Sequence, residues 1–329
     1  MPEHNTPASP QSNLLEVSDL TVKFRLRQGD LTAVNNVSFT LEPGERMGVV
    51  GESGAGKSVM GFSLINLISK PGYIHSGTIR FEGRALNRMS EGKIRSIRGN
   101  RMAMIFQDPM MTLNPVLTIG TQMVEVLRTH KGLSRRDAEE IALDRLRKVY
   151  IPSPEKRLKQ YPHEFSGGMR QRIVIAISLL TNPAVIIANE PTTALDVTIQ
   201  AEIMDLLLEL TKSERLALIL ITHDLAVVSQ VTEKIAVMYA GSIVEMGKTD
   251  RIISDPSHPY TRGLLAALPQ MGGTRRLNQI PGTMPSLTAI PPGCSFQNRC
   301  TLCEEVCRSA VPQLSPKQKG CLAACHLLE

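Results

Sequence analysis

The sequence predicts an α/β protein whose antiparallel strands come first, whose middle is helical, and whose end is a small cysteine-rich domain. Three observations carry this. The stretch Gly51-Glu52-Ser53-Gly54-Ala55-Gly56-Lys57-Ser58 fits G-x-x-x-x-G-K-[ST] at every fixed position, with an apolar run before it and helical spacing after it. The runs 102–106, 184–188 and 216–222 are short and almost wholly apolar, as suits strands buried on both faces. All six cysteines fall between Cys294 and Cys325, behind a proline-rich segment.

Taken in order, residues 14–26 and 31–41 are rich in Val, Leu, Thr and Phe around a Gln28-Gly29-Asp30 turn, and predict an antiparallel strand pair. Phe24 on the first strand has the ring to stack on a nucleobase, although a core phenylalanine looks the same in sequence. Met47 to Val50 predicts a buried strand, and the apolar spacing from Val59 to Ile68 predicts a helix. Between them the glycines let backbone N–H groups curl around phosphate oxygens, and the helix adds its positive end. Lys57 then reaches the outer phosphates, and the Ser58 hydroxyl is placed to ligate Mg²⁺.

Residues 77–83 predict a strand and turn. The strand at 102–106 delivers Gln107, whose amide oxygen suits Mg²⁺ or an attacking water, though a lone glutamine is usually a surface residue. Residues 120–182 read as helical, with Ser134 to Asp137 resembling a capping box and Pro152, Pro154 and Pro162 interrupting. Ser166-Gly167-Gly168-Met169-Arg170-Gln171 opens a new helix, a second place for an anion or simply a cap. The strand at 184–188 ends at Asn189-Glu190, where an acidic group can polarise water. A further strand ends at His223, and residues 235–239 and 242–246 predict a hairpin around Gly241. The domain boundary is expected at 247–260.

Composition narrows the classes. Hydrophobic residues make up 42% and aromatics 4%, without tryptophan, which argues against stacking platforms for single-stranded nucleic acid. The net charge of +6 permits an anionic surface as partner without demanding one. No apolar run is long enough to span a bilayer. Residues 1–13 are polar and read as a disordered tail rather than a secretory signal, which places the chain in the cytosol.

These motifs, in this order, resemble the ATP-binding cassette (ABC) family over roughly residues 14–250. The resemblance implies a P-loop ATPase core with a mixed sheet, an antiparallel β subdomain and a helical subdomain. Residues 51–58 resemble its Walker A loop, Gln107 its Q-loop glutamine, and Ser166, Gly167, Gly168 and Gln171 its signature motif. Val185 to Glu190 resembles Walker B, Ala194-Leu195-Asp196 the D-loop, and His223 the switch histidine; Phe24 stands at the adenine-stacking position. The resemblance implies ATP and Mg²⁺ as ligands, with Glu190, His223 and Gln107 serving hydrolysis. Asparagine at 189 departs from the family's aspartate, keeping the shape but losing a charge in the Mg²⁺ environment.

The segment from Ser257 to Pro269, then Ile280-Pro281-Gly282 and the cysteines, is similar to ATPase subunits of bacterial dipeptide and oligopeptide importers. That implies a peripheral ATPase on the cytoplasmic side of the inner membrane. Its partners are a second ATPase subunit in a heterodimer, two transmembrane permease subunits and an extracytoplasmic substrate-binding protein, with no nucleic acid. Cys294, Cys300, Cys307 and Cys325 resemble the ligands of a [4Fe–4S] cluster. Structural zinc and free thiols stay open, since Cys300 to Cys303 is a C-x-x-C and Cys321 is a further thiol. Importers of nickel or glutathione, soluble cassette ATPases acting on ribosomes or DNA repair, and redox-sensing proteins are the competing functions. The sequence contains neither the second cassette nor the coiled-coil insertion expected of the soluble kind.

Overall fold

The computed structural model describes residues 13–27, 29–193, 195–268, 279–317 and 320–327. The tail expected over residues 1–13 lies outside them except for Asn13.

Two sheets organise the chain. β1 (Leu15–Leu26) pairs antiparallel with β2 (Gly29–Leu41). Gly29 and Asp30, expected in the turn, instead begin β2 opposite Leu26 and Arg25; Gln28 lies outside the described residues. After β3 (Arg46–Val50) and α1 (Lys57–Leu64), β4 (Gly72–Phe81) returns to β1, and β5 (Arg84–Ala85) closes this four-stranded antiparallel sheet in the order β2-β1-β4-β5. α2 (Glu91–Ile97) leads into β6 (Met102–Ile105). The helical segment holds α3 (Pro109–Thr112), α4 (Ile119–Lys131), α5 (Arg135–Lys148), α6 (Pro154–Arg157) and α7 (Gly167–Leu179). Then follow β7 (Val185–Asn189), α8 (Val197–Ser213), β8 (Ala217–Thr222), α9 (Leu225–Val231), β9 (Lys234–Tyr239) and β10 (Ser242–Lys248). The chain finishes with α10 (Thr249–Ser254), α11 (Pro259–Ala266), α12 (Glu305–Ser309), β11 (Ser315–Pro316) and β12 (Leu322–Ala323).

Among the described residues the second sheet has eight strands in the order β11-β12-β10-β9-β3-β8-β7-β6. It is mixed. β6, β7, β8, β3 and β9 run parallel, while β10, β12 and β11 add antiparallel pairings at one edge. Every residue of β6, β7 and β8 is buried, because both faces of these strands are covered. Successive side chains point to opposite faces. Ile186, Ala188, Leu218 and Leu220 therefore join the core under the helical segment. Val185, Ile187, Ile219 and Ile221 join the core shared with α1 and the antiparallel sheet.

Local chemistry fixes the helical segment. Ile119, Met123, Val124 and Leu127 make the buried stripe of α4, Thr118 caps its start, and Gly132 ends it in the left-handed conformation. Ser134 caps α5 by accepting from the Asp137 N–H at 3.2 Å, as expected. The other half of the capping box differs. The Asp137 carboxylate accepts from Ser134 Oγ at 2.7 Å, being one methylene shorter than the glutamate that reaches the backbone N–H of a cap. Arg145 of α5 is buried and paired with Glu214 and Asn182.

The residues beyond 250 are fastened to the large sheet. β12 pairs with β10, and Ala324 N–H donates to the Val244 carbonyl at 2.8 Å. Tyr260, Phe296 and Cys321 are buried in the same core as the helices behind the sheet. The Tyr260 and Phe296 rings pack against Tyr239 at centroid distances of 4.7 and 5.2 Å. Among the described residues, no helix is long and apolar enough to cross a membrane.

Candidate nucleotide site

The loop 51–58 joins the carboxyl end of β3 to α1. Crossing so close to β2 requires glycine at 56, since a Cβ there would lie 2.3 Å from the Ala33 carbonyl oxygen, and φ is +96°. Lys57 is buried and folds over the loop, donating to the Gly51 and Glu52 carbonyls at 2.8 and 3.0 Å. Burial pushes its ammonium below the ordinary lysine range, while Glu190 and then Glu52 pull it back up.

β7 and β8 bring the remaining groups to this loop. Asn189, the last residue of β7, is buried and accepts from Ser58 Oγ at 3.0 Å. Glu190 follows in a left-handed conformation, with its N–H bonded to the Ile221 carbonyl at 2.8 Å. One oxygen of its carboxylate accepts from Gln107 Nε2 at 3.1 Å and Thr193 Oγ1 at 3.2 Å. Phe24, Leu26 and Leu31 wall the adjoining cavity of about 470 Å³, whose floor includes Ser53, Gly54, Lys57 and Ser58. Gln107 and Glu190 lie at one end, and Leu287 of the C-terminal segment closes a side. This size and balance suit a nucleotide. A larger hollow of about 970 Å³ lies among α4, α5 and residues 155–159, away from the loop.

Other expected residues do not line this cavity. Ser166 caps α7, its Oγ accepting from the Met169 N–H at 3.4 Å, with Gly167 and Gly168 in the first turn. Gln171 is buried and its Nε2 has no hydrogen-bond partner. His223 is exposed at the end of β8. Asp196 caps α8 through Ile199 N–H at 2.9 Å, and Ala194 of the same expected motif lies outside the described residues. Ala55 is buried within the loop.

Cys294, Cys300, Cys307 and Cys325 line one small cavity with His258 and His326. Burial pushes the Cys294 thiol up to about 11, and the other three thiols add to the shift. Cys303 instead approaches the Glu304 carbonyl, and Cys321 lies against Gly247. Among the described residues, no three His, Cys, Asp or Glu side chains are already arranged as ligands of a metal ion.

Three contributors were not legible beforehand. Leu287 and Thr193 carry no motif. Arg299, whose Nη1 lies 2.9 Å from Glu52 Oε2, is separated from it by 247 positions. Only the prolines between Pro256 and Pro292 marked the segment ahead of the cysteines as loop-rich.

A glycine loop between a central parallel strand and a helix, with Glu190 and Gln107 converging beside it, defines a P-loop nucleotide-binding protein. The ABC transporter model matches residues 34–193, and the model of the oligopeptide/dipeptide transporter C-terminal region matches 244–307. The chain is 48% identical over 318 residues to the oligopeptide transport ATP-binding protein OppD of Salmonella typhimurium, covering 96% of this chain and 94% of that protein. OppD of Bacillus subtilis is 50% identical over 291 residues, 88% of this chain and 81% of that one. The dimeric post-hydrolysis ATP-binding cassette MJ0796, bound to ADP and Pi, superposes with a TM-score of 0.64 at 25% identity, covering 71% of this chain and 98% of that one. The chain belongs to the ABC transporter family, as an ATPase of the kind coupled to transport.

Proposed function

We propose that the chain hydrolyses ATP to power import of dipeptides or oligopeptides through membrane permease subunits. The observation that carries this reading is the convergence of Lys57, Ser58, Glu190 and Gln107 on one cavity, with Asn189 behind Ser58, in a chain with the importer-type C-terminal region.

The adenine stacks on Phe24, and the loop N–H groups with Lys57 hold the phosphates. Residues fit Mg²⁺ at one point: Ser58 and Gln107, which would hold it, line the same cavity as the acidic Glu190. Bound there, the ion supplies positive charge to the β- and γ-phosphates. Asn189 orients the Ser58 hydroxyl. Glu190 polarises the attacking water, and its bonds from Gln107 and Thr193 fix the carboxylate's direction. Ser166, Gly167, Gly168 and Gln171 stand apart from this cavity, so they serve a second site, facing the loop of a partner ATPase in a heterodimer. His223 and Asp196 act at that shared boundary, His223 on the γ-phosphate. The assembly sits peripherally at the cytoplasmic face of the inner membrane, with two permease subunits and an extracytoplasmic substrate-binding protein.

The thiols at 294, 300, 307 and 325 hold a [4Fe–4S] cluster, with zinc as the alternative. Support comes from the donor chemistry of four cysteines lining one cavity.

The test is nucleotide binding and peptide uptake with Lys57→Ala in the assembled transporter. Loss of both is expected; wild-type ATP affinity in this variant overturns the assignment of the loop.

A further inference from the structure

The C-terminal segment reaches the phosphate loop itself. Glu52, second residue of that loop, donates its N–H to the Tyr260 hydroxyl at 2.9 Å and holds Arg299 through its carboxylate at 2.9 Å. The Arg299 side chain is 6% exposed and that of Glu52 29% exposed. Arg299 is itself fixed: Nε donates to the Pro281 carbonyl at 2.9 Å, and the guanidinium lies 5.8 Å from the Tyr239 ring centroid and 5.9 Å from that of Phe296. Tight turn hydrogen bonds from Arg299 and Cys300 to the Phe296 carbonyl set its direction. A buried arginine held by a carbonyl and two rings has little freedom to leave its partner.

Charge gives this pair a purpose. Glu52 stands on the loop that must accept a polyphosphate, and its carbonyl already receives Lys57 Nζ at 3.0 Å. An unpaired carboxylate there repels the incoming phosphates and competes with them for the lysine. We propose that Arg299 is a positioning residue of the nucleotide site, holding the Glu52 carboxylate away from Lys57 and neutralising it so that the loop accepts phosphate. This inference rests on the nucleotide-binding reading of 51–58. The same stretch of chain carries Cys294 and Cys300 to the thiol-lined cavity, so one backbone segment serves that cavity and presents Arg299 to the phosphate loop.

The test is a charge cycle on the full chain, with a fluorescent ATP analogue as probe and the melting temperature read on each variant. Arg299→Met is expected to raise the Kd about tenfold, within the range for coupled sites. Adding Glu52→Gln to it is expected to bring the Kd back to within about threefold of wild type, because the repelling charge is gone. A bystander that merely supports the fold is not rescued by removing a second partner. Should Arg299→Met fail to fold, Arg299→Gln, which keeps a donor and removes the charge, takes its place with the same outcomes. Wild-type affinity without the arginine charge, or weakening that Glu52→Gln does not relieve, overturns the proposal. Lys57→Ala separates the two levels. If it abolishes probe binding while the Arg299 variants bind normally, only this inference falls; if it leaves binding intact, the loop assignment falls first.

Discussion

Replacing Gly56 with alanine puts a methyl group where the loop passes β2. The φ of +96° strains any residue with a Cβ, at about 1–2 kcal/mol. The new atom would also lie 2.3 Å from the Ala33 carbonyl oxygen and 3.4 Å from Gly241 Cα. Both neighbours are backbone, held by β2 and by the β9–β10 turn, so neither rotates away. Ordinary contact then requires the loop to move by about 1 Å, a displacement that typically costs on the order of a hundredfold where groups must be positioned. The variant should lose roughly 2–3 kcal/mol of stability and about a hundredfold in nucleotide affinity. Gly83→Ala is the matched control: φ is +75°, but nothing lies within 4 Å of its Cβ. It should cost about 1 kcal/mol and leave nucleotide binding unchanged. Calorimetric melting and titration with a fluorescent ATP analogue read both quantities. Wild-type binding by Gly56→Ala, or equal loss in the two variants, would refute the reasoning from close approach.

Asn189→Asp turns the 3.0 Å bond from Ser58 into a charge-assisted one, worth about 1 kcal/mol more. The Mg²⁺ concentration giving half-maximal nucleotide binding should fall roughly five- to tenfold, and turnover in the assembled transporter should rise; equal Mg²⁺ dependence would show that the charge is dispensable. Protein purified without oxygen should be brown, with about four irons per chain. Cys307→Ser should lose them and Cys303→Ser keep them; colourless protein with one zinc assigns the site to zinc. Because Ser166 to Gln171 stand apart from the loop's own cavity, hydrolysis per chain should rise with concentration or with an added partner ATPase, and constant activity in a strict monomer would contradict that.

How much of this was legible depended on how local the signal is. β7 and β8 could be read directly because burial on both faces demands unbroken apolar runs, and 184–188 and 217–221 are such runs. The loop and its lysine follow from residue types at fixed spacing, since wrapping backbone around phosphate needs glycine wherever the sequence occurs. Ser134 was legible as a cap, whereas the direction of the Asp137 bond depended on one methylene. Pairings across long separations carry no local signal: only the family resemblance placed Ser58 and Asn189, 131 positions apart, in one Mg²⁺ environment, and nothing pointed to Glu52 meeting Arg299 across 247. The two-residue strands β11 and β12 are too short to carry a period, and they exist because β10 offers an edge to pair with.

That edge explains why the C-terminal segment is built onto the sheet. A chain punctuated by Pro281, Pro285, Pro291 and Pro292 forms little regular structure of its own, so its polar backbone and its few large side chains need a surface already folded. β10 pairs with β12 at Glu245 and Met246 and accepts from the Ala324 N–H at the Val244 carbonyl, and the end of β9 supplies Tyr239 as a platform for Tyr260 and Phe296. β9 lies beside β3, the strand that launches the phosphate loop. Any segment packed against Tyr239 therefore arrives within reach of Glu52, and Arg299 and Tyr260 use that proximity. Leu287 of the same segment lines the nucleotide cavity together with Phe24 and Leu31 of the β1–β2 pair. The cavity is thus walled by the antiparallel sheet, floored by the loop and lined by Leu287 from more than two hundred positions downstream. The C-terminal segment therefore meets the nucleotide cavity through Leu287 itself.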